Sequence, residues 1–136
     1  MRIIALDIGD VRIGVAMSDV IGMFASPLEV IDRNKSNAVE RIKKIVEEYK
    51  VDTIVAGLPK SLNGEEKVQA QKVREFVKVL EAEIGKEIVF VDERYSTVAA
   101  DRMLNETTKK NAIQKRKVVD KIAATFILQT YLDIKR

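Results

Sequence analysis

Residues 2–18, with the sequence RIIALDIGDVRIGVAMS, decide the fold because they are typical of two short strands joined by a turn. The first run, residues 2–8, is almost continuously apolar and stops at Gly9-Asp10, a pair that favours turns. The second run covers residues 11–18. Two apolar runs around Gly-Asp predict a β-hairpin.

A third predicted strand covers residues 23–32 and contains Pro27. Proline has no backbone N–H to donate to a strand ladder, so Pro27 predicts an edge strand or a bulge. Helical and strand patterns alternate beyond it. The remaining predicted elements are a helix over 37–49 with Ser36 or Asn37 as its N-cap, a strand over 52–58, a helix from Val68 to Ile84 ended by Gly85, a strand over 87–92, a short helix capped by Ser96 or Thr97 and reaching about 105, and a helix over 116–134. The segment of about residues 105–115 is polar and aperiodic, which predicts a mobile loop.

The order of these elements indicates the fold class. Three hairpin-linked strands followed by strand–helix alternation predict an α/β fold, with a mixed five-stranded sheet flanked by helices. Three of its strands would be antiparallel and the next two parallel. This order matches the ribonuclease H-like fold. At 136 residues, of which 46% are hydrophobic, the chain suits a single domain over 1–136.

The composition excludes several kinds of active site. The chain has neither Cys nor His, which rules out Cys-ligated and His-ligated metals, thiol nucleophiles and histidine general bases. A bound metal must be held by oxygen atoms, which favours hard ions such as Mg²⁺, Mn²⁺ or Ca²⁺. The chain has 24 Lys or Arg and 21 Asp or Glu, a net charge of +3. That balance excludes a histone-like polycation.

The hydropathy pattern bears on location. No apolar stretch of about 18 residues is present, so we expect no membrane span. The first residues do not resemble a signal peptide, because Asp7 interrupts a short apolar run. We therefore expect a cytoplasmic protein.

Positive charge is concentrated in residues 94–136, which hold 10 Lys or Arg and 4 Asp or Glu. This excess indicates either a surface for an anionic partner or a solvated helix. Lys109-Lys110 and Lys115-Arg116-Lys117 are its densest clusters. Both can neutralise the phosphates of a polyanionic substrate.

Three carboxylates stand out by their positions on apolar elements. Asp7 interrupts the first strand, where an uncompensated carboxylate is costly, or else it starts the turn. Glu93 follows the strand over 87–92, at the end where open α/β sheets build their sites, or else it pairs with Arg94. Asp120 lies on or beside the apolar face of the last helix, or else it pairs with neighbouring lysines.

Taken together, the three acids predict a metal site at one end of the sheet. Carboxylates from three elements can hold divalent ions with oxygen ligands alone. Such ions activate a water and stabilise the leaving oxygen when a phosphodiester is cleaved. The basic clusters beside the third acid fit the same polyanionic substrate.

Four motifs resemble those of the YqgF (RuvX) family and follow that family's order over essentially the whole chain. They are DIGDVRIGVAMSD over 7–19, Gly57-Leu58-Pro59, DERYST over 92–97, and Asp120 followed by Ala123-Ala124 and Ile127-Leu128. The resemblance implies a ribonuclease H-like nuclease related to Holliday-junction resolvases. It also implies a role in ribosome biogenesis, maturing the 5′ end of pre-16S ribosomal RNA.

The resemblance further implies which residues act. The family's acidic residues correspond to Asp7, Glu93 and Asp120, which would be catalytic and would hold Mg²⁺ or Mn²⁺. Other motif positions, expected to bind substrate, are matched by Arg12, Arg94, Ser96 and Thr97. By their chemistry, the two arginines can grip phosphate in a bidentate manner. The serine or the threonine can instead cap the following helix.

One feature departs from the broader fold, whose nucleases carry an acid at the end of the fourth strand. Here that strand ends in Ala56-Gly57-Leu58-Pro59, without a carboxylate. The second acid would come from beyond the fifth strand, one strand further from Asp7, at ~4.8 Å per strand. Either Asp92 or Glu93 can supply it, and the number of metal ions stays open between one and two.

Alternative functions stay open at this point. A Holliday-junction resolvase would need a symmetric dimer to cut two strands in register. A non-catalytic RNA-binding module on the same fold would bind RNA without metal. An actin-like phosphate site would need two such domains. We expect the partner to be structured RNA in the form of a ribosomal RNA precursor, or else a DNA junction. We expect the protein itself to be a monomer or a weak homodimer.

Overall fold

The computed structural model describes residues 2–59, 67–92 and 112–135, with side chains from 122 to 134 in the last range. Five strands and three helices lie within these ranges. The strands are β1 (Arg2–Ile8), β2 (Arg12–Ser18), β3 (Ala25–Asp32), β4 (Val51–Leu58) and β5 (Ile88–Asp92). The helices are α1 (Ala38–Glu48), α2 (Val68–Ile84) and α3 (Ala112–Lys135).

The five strands form one mixed sheet in the order β3-β2-β1-β4-β5. β2 pairs antiparallel with β1 and β3, whereas β4 pairs parallel with β1 and β5. The predicted combination of three antiparallel and two parallel strands is confirmed. β1 is therefore the central strand, with two neighbours on each side.

Alternation along β1 divides the core between the two faces of the sheet. Ile4, Leu6 and Ile8 belong to a cluster that also contains buried residues of α1 and α2. Ile3 and Ala5 belong to a second cluster with buried residues of α3. Because helices cover both faces, this strand is an almost continuous apolar run rather than an alternating one.

The third strand has both features that its proline predicts. β3 lies at the edge of the sheet. Val15 pairs with Glu29 and Ala16 with Pro27, so Leu28 is the extra residue of a bulge. The missing N–H of the proline is tolerated there because an edge strand has one free side.

Two helix ends follow the local sequence. The Asn37 side chain accepts a hydrogen bond from the Glu40 N–H at 3.2 Å, which confirms Asn37 as the N-cap of α1. Gly85 follows α2 with φ of 75°, in the left-handed conformation that glycine adopts without strain.

The start of α3 differs from the prediction. The helix begins at Ala112 rather than at residue 116, so the predicted loop over about 105–115 is wrong over its last four residues. Alanine, glutamine and lysine are strong helix formers, so a polar, aperiodic segment can still be helical. Residues 105–111 and the short helix expected after Ser96 or Thr97 lie outside the described residues. Among the helices of the described ranges, none is both long enough and apolar enough to cross a membrane.

The turn between β1 and β2 closes tightly at Gly9, as the Gly-Asp pair predicts. The Gly9 N–H donates to the Arg12 carbonyl oxygen at 2.9 Å. A Cβ atom on Gly9 would lie 2.8 Å from that same oxygen. This close approach of backbone to backbone requires glycine at position 9.

Truncating a side chain beneath α3 should destabilise the protein. Ile127 is fully buried against the sheet, and Ile127→Ala is expected to lower the free energy of unfolding by about 2–5 kcal/mol. Ile134 on the same helix is 73% exposed, so Ile134→Ala is the matched control and should change it by less than about 0.5 kcal/mol. Urea denaturation measures both values. Equal effects would contradict the packing of α3.

Adding one methyl group to the turn should also destabilise the protein. Gly9→Ala forces the turn apart and is expected to lower the free energy of unfolding by about 1–3 kcal/mol, the usual cost of overpacking. Asp10→Ala is the control, because Asp10 is exposed and its carboxylate pairs with Lys72 at 3.6 Å. An exposed pair of this kind contributes about 0–1 kcal/mol. Thermal or urea denaturation decides, and a Gly9→Ala variant as stable as the wild type would refute the constraint.

Candidate active site

Asp7 lies near the C-terminal end of the central strand, on the sheet face that α3 covers. Asp7 shares one face of β1 with Ile3 and Ala5, which pack in the cluster under α3. Its side chain is partly buried. The strand therefore carries a carboxylate to the boundary between the core and the end of the sheet.

Glycine residues lie level with Asp7 on both neighbouring strands. Asp7 pairs with Gly14 on β2. Leu6 pairs with Ala56 on β4, so the next residue of β4, Gly57, lies level with Asp7. Bare backbone therefore borders the carboxylate on both sides, and glycine inside a strand often marks the close approach of a ligand.

Arg12 lies on the same face as Asp7. It comes two residues before Gly14 on β2, and alternation gives both residues the same face. It pairs with Asp32 on β3, and its side chain is partly buried. The hairpin thus brings a carboxylate and a guanidinium group to one end of one sheet face.

Asp92 lies on the opposite face. It is the last residue of β5 and pairs with Leu58, which packs in the cluster with α1 and α2. The preceding residue, Val91, pairs with Gly57 and packs in the cluster under α3. Along β5, Val91 is therefore the residue level with Asp7 and on its face.

Most of the other site residues predicted from the sequence fall outside the described part of the chain. These are Glu93, Arg94, Ser96, Thr97, Lys109 and Lys110. The backbone of α3 includes Lys115, Arg116, Lys117 and Asp120, whose side chains are not described. Among the described side chains, no group of three acidic residues is close enough together to hold a metal ion. Of the three predicted metal ligands, Asp7 alone has a described side chain.

A series of hydrogen bonds and strand pairs fixes where the second half of α3 lies on the sheet. The Gln129 side chain accepts from the Ala25 N–H at 3.1 Å, and Ala25 pairs with Ser18, whose hydroxyl accepts from the Ile3 N–H at 2.9 Å. This fixes the second half of α3 at the end of the sheet where β1 begins.

The rise per residue of a helix and of a strand allows the positions of Asp120 and Asp7 to be compared. Asp120 precedes Gln129 by nine residues, or ~13 Å of helix at 1.5 Å per residue. Asp7 follows Ile3 by four residues, or ~13 Å of strand at 3.3 Å per residue. A helix antiparallel to β1 would therefore bring residue 120 of the helix backbone about level with Asp7.

Two residues that the sequence analysis did not single out hold the β1–β2 turn. The Arg33 N–H donates to the Val11 carbonyl at 2.8 Å, and its guanidinium Nη1 donates to the Gly9 carbonyl at 2.7 Å. Lys72 of α2 pairs with the Asp10 carboxylate at 3.6 Å. These contacts join segments distant in sequence, so no local pattern predicts them.

A second arginine, Arg41, makes a similar number of contacts elsewhere. Its guanidinium group donates to both carboxylate oxygens of Glu29, at 2.9 and 2.6 Å, and joins α1 to β3. These hydrogen bonds raise the pKa of Arg41 above its ordinary value. The pair stabilises the α1 face of the sheet rather than the turn beside Asp7.

Comparisons with known proteins agree on a family. The model of the RuvX family, described as Holliday junction resolvase, matches residues 1–134. A "Putative pre-16S rRNA nuclease" of Fusobacterium nucleatum is 60% identical over 136 residues and covers 99% of both chains. A protein of the same name from Clostridium tetani is 49% identical over 134 residues, covering 98% of this chain and 96% of its own.

Solved structures support the fold. RuvC of Thermus thermophilus superposes with a TM-score of 0.57 at 12% identity, covering 99% of this chain and 96% of its own. The fowlpox virus Holliday junction resolvase superposes with a TM-score of 0.59 at 14% identity and covers both chains completely. At such identities the likeness shows a shared ribonuclease H-like fold. With the family model and close relatives over nearly its full length, the chain belongs to the RuvX family and is a nuclease.

Proposed function

We propose that this chain is a divalent-metal-dependent nuclease that cleaves RNA and matures the 5′ end of pre-16S ribosomal RNA in the cytoplasm. The observation that carries the proposal is Asp7, a carboxylate on the central strand bordered by Gly14 and Gly57. The names of the close relatives support the choice of RNA.

The residues available fit Mg²⁺ or Mn²⁺. The chain has no cysteine or histidine, and carboxylate oxygens are the donors that hard divalent ions prefer. Asp7, Glu93 and Asp120 would hold the ion. When bound, it would activate a water and stabilise the leaving oxygen of a phosphodiester.

Glu93, rather than Asp92, is the better second acid. Asp92 lies level with Leu58 on the face of α1 and α2, opposite to Asp7. In a strand, the position two residues after a given one takes the same face, so a β5 continued by one residue would give Glu93 the face of Val91. β1 and β5 are separated by two strand spacings, ~10 Å, with β4 between them. Gly57 of β4 has no side chain to fill the space above the sheet between them.

Asp120 is the third proposed ligand because of its level on α3. Its helix position is one turn before Ala124, which is fully buried against the sheet, and helical spacing of four residues keeps one face. A helix antiparallel to β1 would bring the same position about level with Asp7. Both arguments favour a carboxylate directed towards the Asp7 end of the sheet.

The basic residues are proposed to bind the substrate backbone. Arg12 shares the face of Asp7, so its guanidinium group can hold a phosphate beside the acid without taking part in bond breaking. The other residues proposed for substrate binding are Arg94, Ser96, Thr97, Lys109, Lys110, Lys115, Arg116 and Lys117. Recognition through phosphates depends on charge and shape more than on base sequence.

A Holliday-junction resolvase is the second candidate function. The printed description of the family model favours it. A resolvase needs two sites related by symmetry to cut opposing strands in register. The RNA nuclease needs one site, which agrees with the expected monomer or weak homodimer.

Replacing each proposed metal ligand should strongly reduce the rate of cleavage, whereas replacing other aspartates should leave the protein active. Asp7→Asn, Glu93→Gln and Asp120→Asn are each expected to lower kcat at least about a hundredfold, or ~2.7 kcal/mol, because the metal loses a charged ligand. Asp10→Asn, Asp92→Asn and Asp133→Asn are the matched controls and should keep near wild-type rates. Cleavage is measured with Mg²⁺ or Mn²⁺, and with EDTA as the metal-free reference.

Three substrates distinguish the candidate functions: a ribosomal RNA precursor with its 5′ leader, a generic single-stranded RNA and a four-way DNA junction. Preferred cleavage of the precursor supports the proposal, whereas paired symmetric cuts in the junction support the resolvase. Binding of RNA without cleavage, equal in wild type and Asp7→Asn and independent of metal, would show a binding module instead. Full activity of Glu93→Gln together with loss in Asp92→Asn would overturn the second ligand.

Removing the basic cluster of α3 should weaken RNA binding by a salt-dependent amount. Changing Lys115, Arg116 and Lys117 to Ala is expected to reduce the slope of log affinity against log salt by about 2, at ~0.7 per phosphate contact on single strands. The control changes Lys43, Lys50 and Lys86, which line one cavity with Val51 at the end of the sheet where β4 begins. Fluorescence anisotropy over a salt series gives both slopes, and equal slopes would exclude the cluster from the interface.

A further inference from the structure

We propose that Arg33 is a positioning residue that holds the β1–β2 turn and thereby fixes Asp7 relative to Arg12. The inference rests on the proposed nuclease function, because that function gives the two residues a joint task. It concerns a residue outside the motifs of the hairpin, one residue beyond the end of β3.

Arg33 contacts the turn twice. Its backbone N–H donates to the Val11 carbonyl at 2.8 Å, and its side-chain Nη1 donates to the Gly9 carbonyl at 2.7 Å. The contact with Gly9 involves a charged donor, which makes it stronger than a bond between neutral groups. One residue thus holds carbonyl groups at both ends of a three-residue segment.

A ring on α2 supports the Arg33 side chain. The guanidinium carbon lies 4.8 Å from the centroid of the Phe76 ring, within range of a cation–π contact. Phe76 packs against the cluster with α1 and α2. Since Asp7 lies on the other face, Arg33 acts through the backbone of the turn rather than on the reacting groups.

The turn sets the spacing between the two functional side chains. Asp7 lies two residues before Gly9 on β1, and Arg12 lies at the start of β2 directly after the turn. A shift of the turn would move the guanidinium group relative to the carboxylate. A misplacement of about 1 Å at a reacting centre can cost about a hundredfold in rate.

The test compares Arg33→Ala with Arg41→Ala. Arg33→Ala keeps the backbone bond to Val11 but loses the bond to Gly9. It should lower kcat by about 10- to 100-fold and also raise KM, because the phosphate-binding Arg12 moves with the turn. Arg41→Ala removes an arginine with two hydrogen bonds to Glu29 and should keep the wild-type kcat. Arg33→Lys should recover part of the rate, because an ammonium group can donate to Gly9 but cannot stack flat on Phe76.

A second readout does not depend on cleavage. Hydrogen exchange of the Gly9 and residue 33 amides, followed by NMR, should be faster in Arg33→Ala than in wild type and unchanged in Arg41→Ala. Unchanged exchange, or a wild-type kcat in Arg33→Ala, would overturn the proposal. If Arg33→Ala does not fold, Phe76→Leu takes its place, with a smaller loss in the same direction expected and wild-type behaviour overturning it.

The failure of the function and the failure of the positioning role give different results. A wild-type protein that cleaves none of the three substrates refutes the proposed nuclease function. Hydrogen exchange of the Gly9 amide then still tests whether Arg33 holds the turn. Faster exchange confined to the Arg33 variants supports the positioning role, and equal exchange in all variants refutes it.

Discussion

A carboxylate within the central strand of an apolar sheet is the constraint around which the rest of this structure is arranged. A buried carboxylate is costly unless it is paired, hydrogen-bonded or bound to a metal. Asp7 lies where this cost is moderated, near the end of β1 and partly exposed. Gly14 and Gly57 lie level with it, so the two neighbouring strands place no side chain beside the carboxylate.

The two faces of the sheet then have different tasks. The face of α1 and α2 holds the larger apolar cluster, and from this side Arg33 and Phe76 secure the turn. The face of α3 carries Asp7 and Arg12. Both faces contribute to stability, but the turn is held from the α2 face and the candidate chemistry lies on the α3 face. A change on the α2 face can therefore alter activity without touching the site.

Much of the fold could be predicted from the sequence because local patterns carry it. Apolar runs separated by Gly9-Asp10 give the hairpin, Pro27 gives an edge strand, and Gly85 ends α2. The predicted start of α3 was wrong because the first turn of this helix has no apolar periodicity to distinguish it from a loop. The candidate acids were predictable from the oddity of a carboxylate on an apolar element and from the resemblance to a family.

The sequence by itself determined the class of the sheet, the absence of thiolate and imidazole ligands, and Asp7 as the anomalous residue, since these depend on composition and local order. Only the tertiary structure decided that Asp92 lies on the opposite face from Asp7, that Gly57 lies level with it, and that Arg33 holds its turn. The reason is physical: strand register and contacts across 24 residues of chain arise from packing of the whole core.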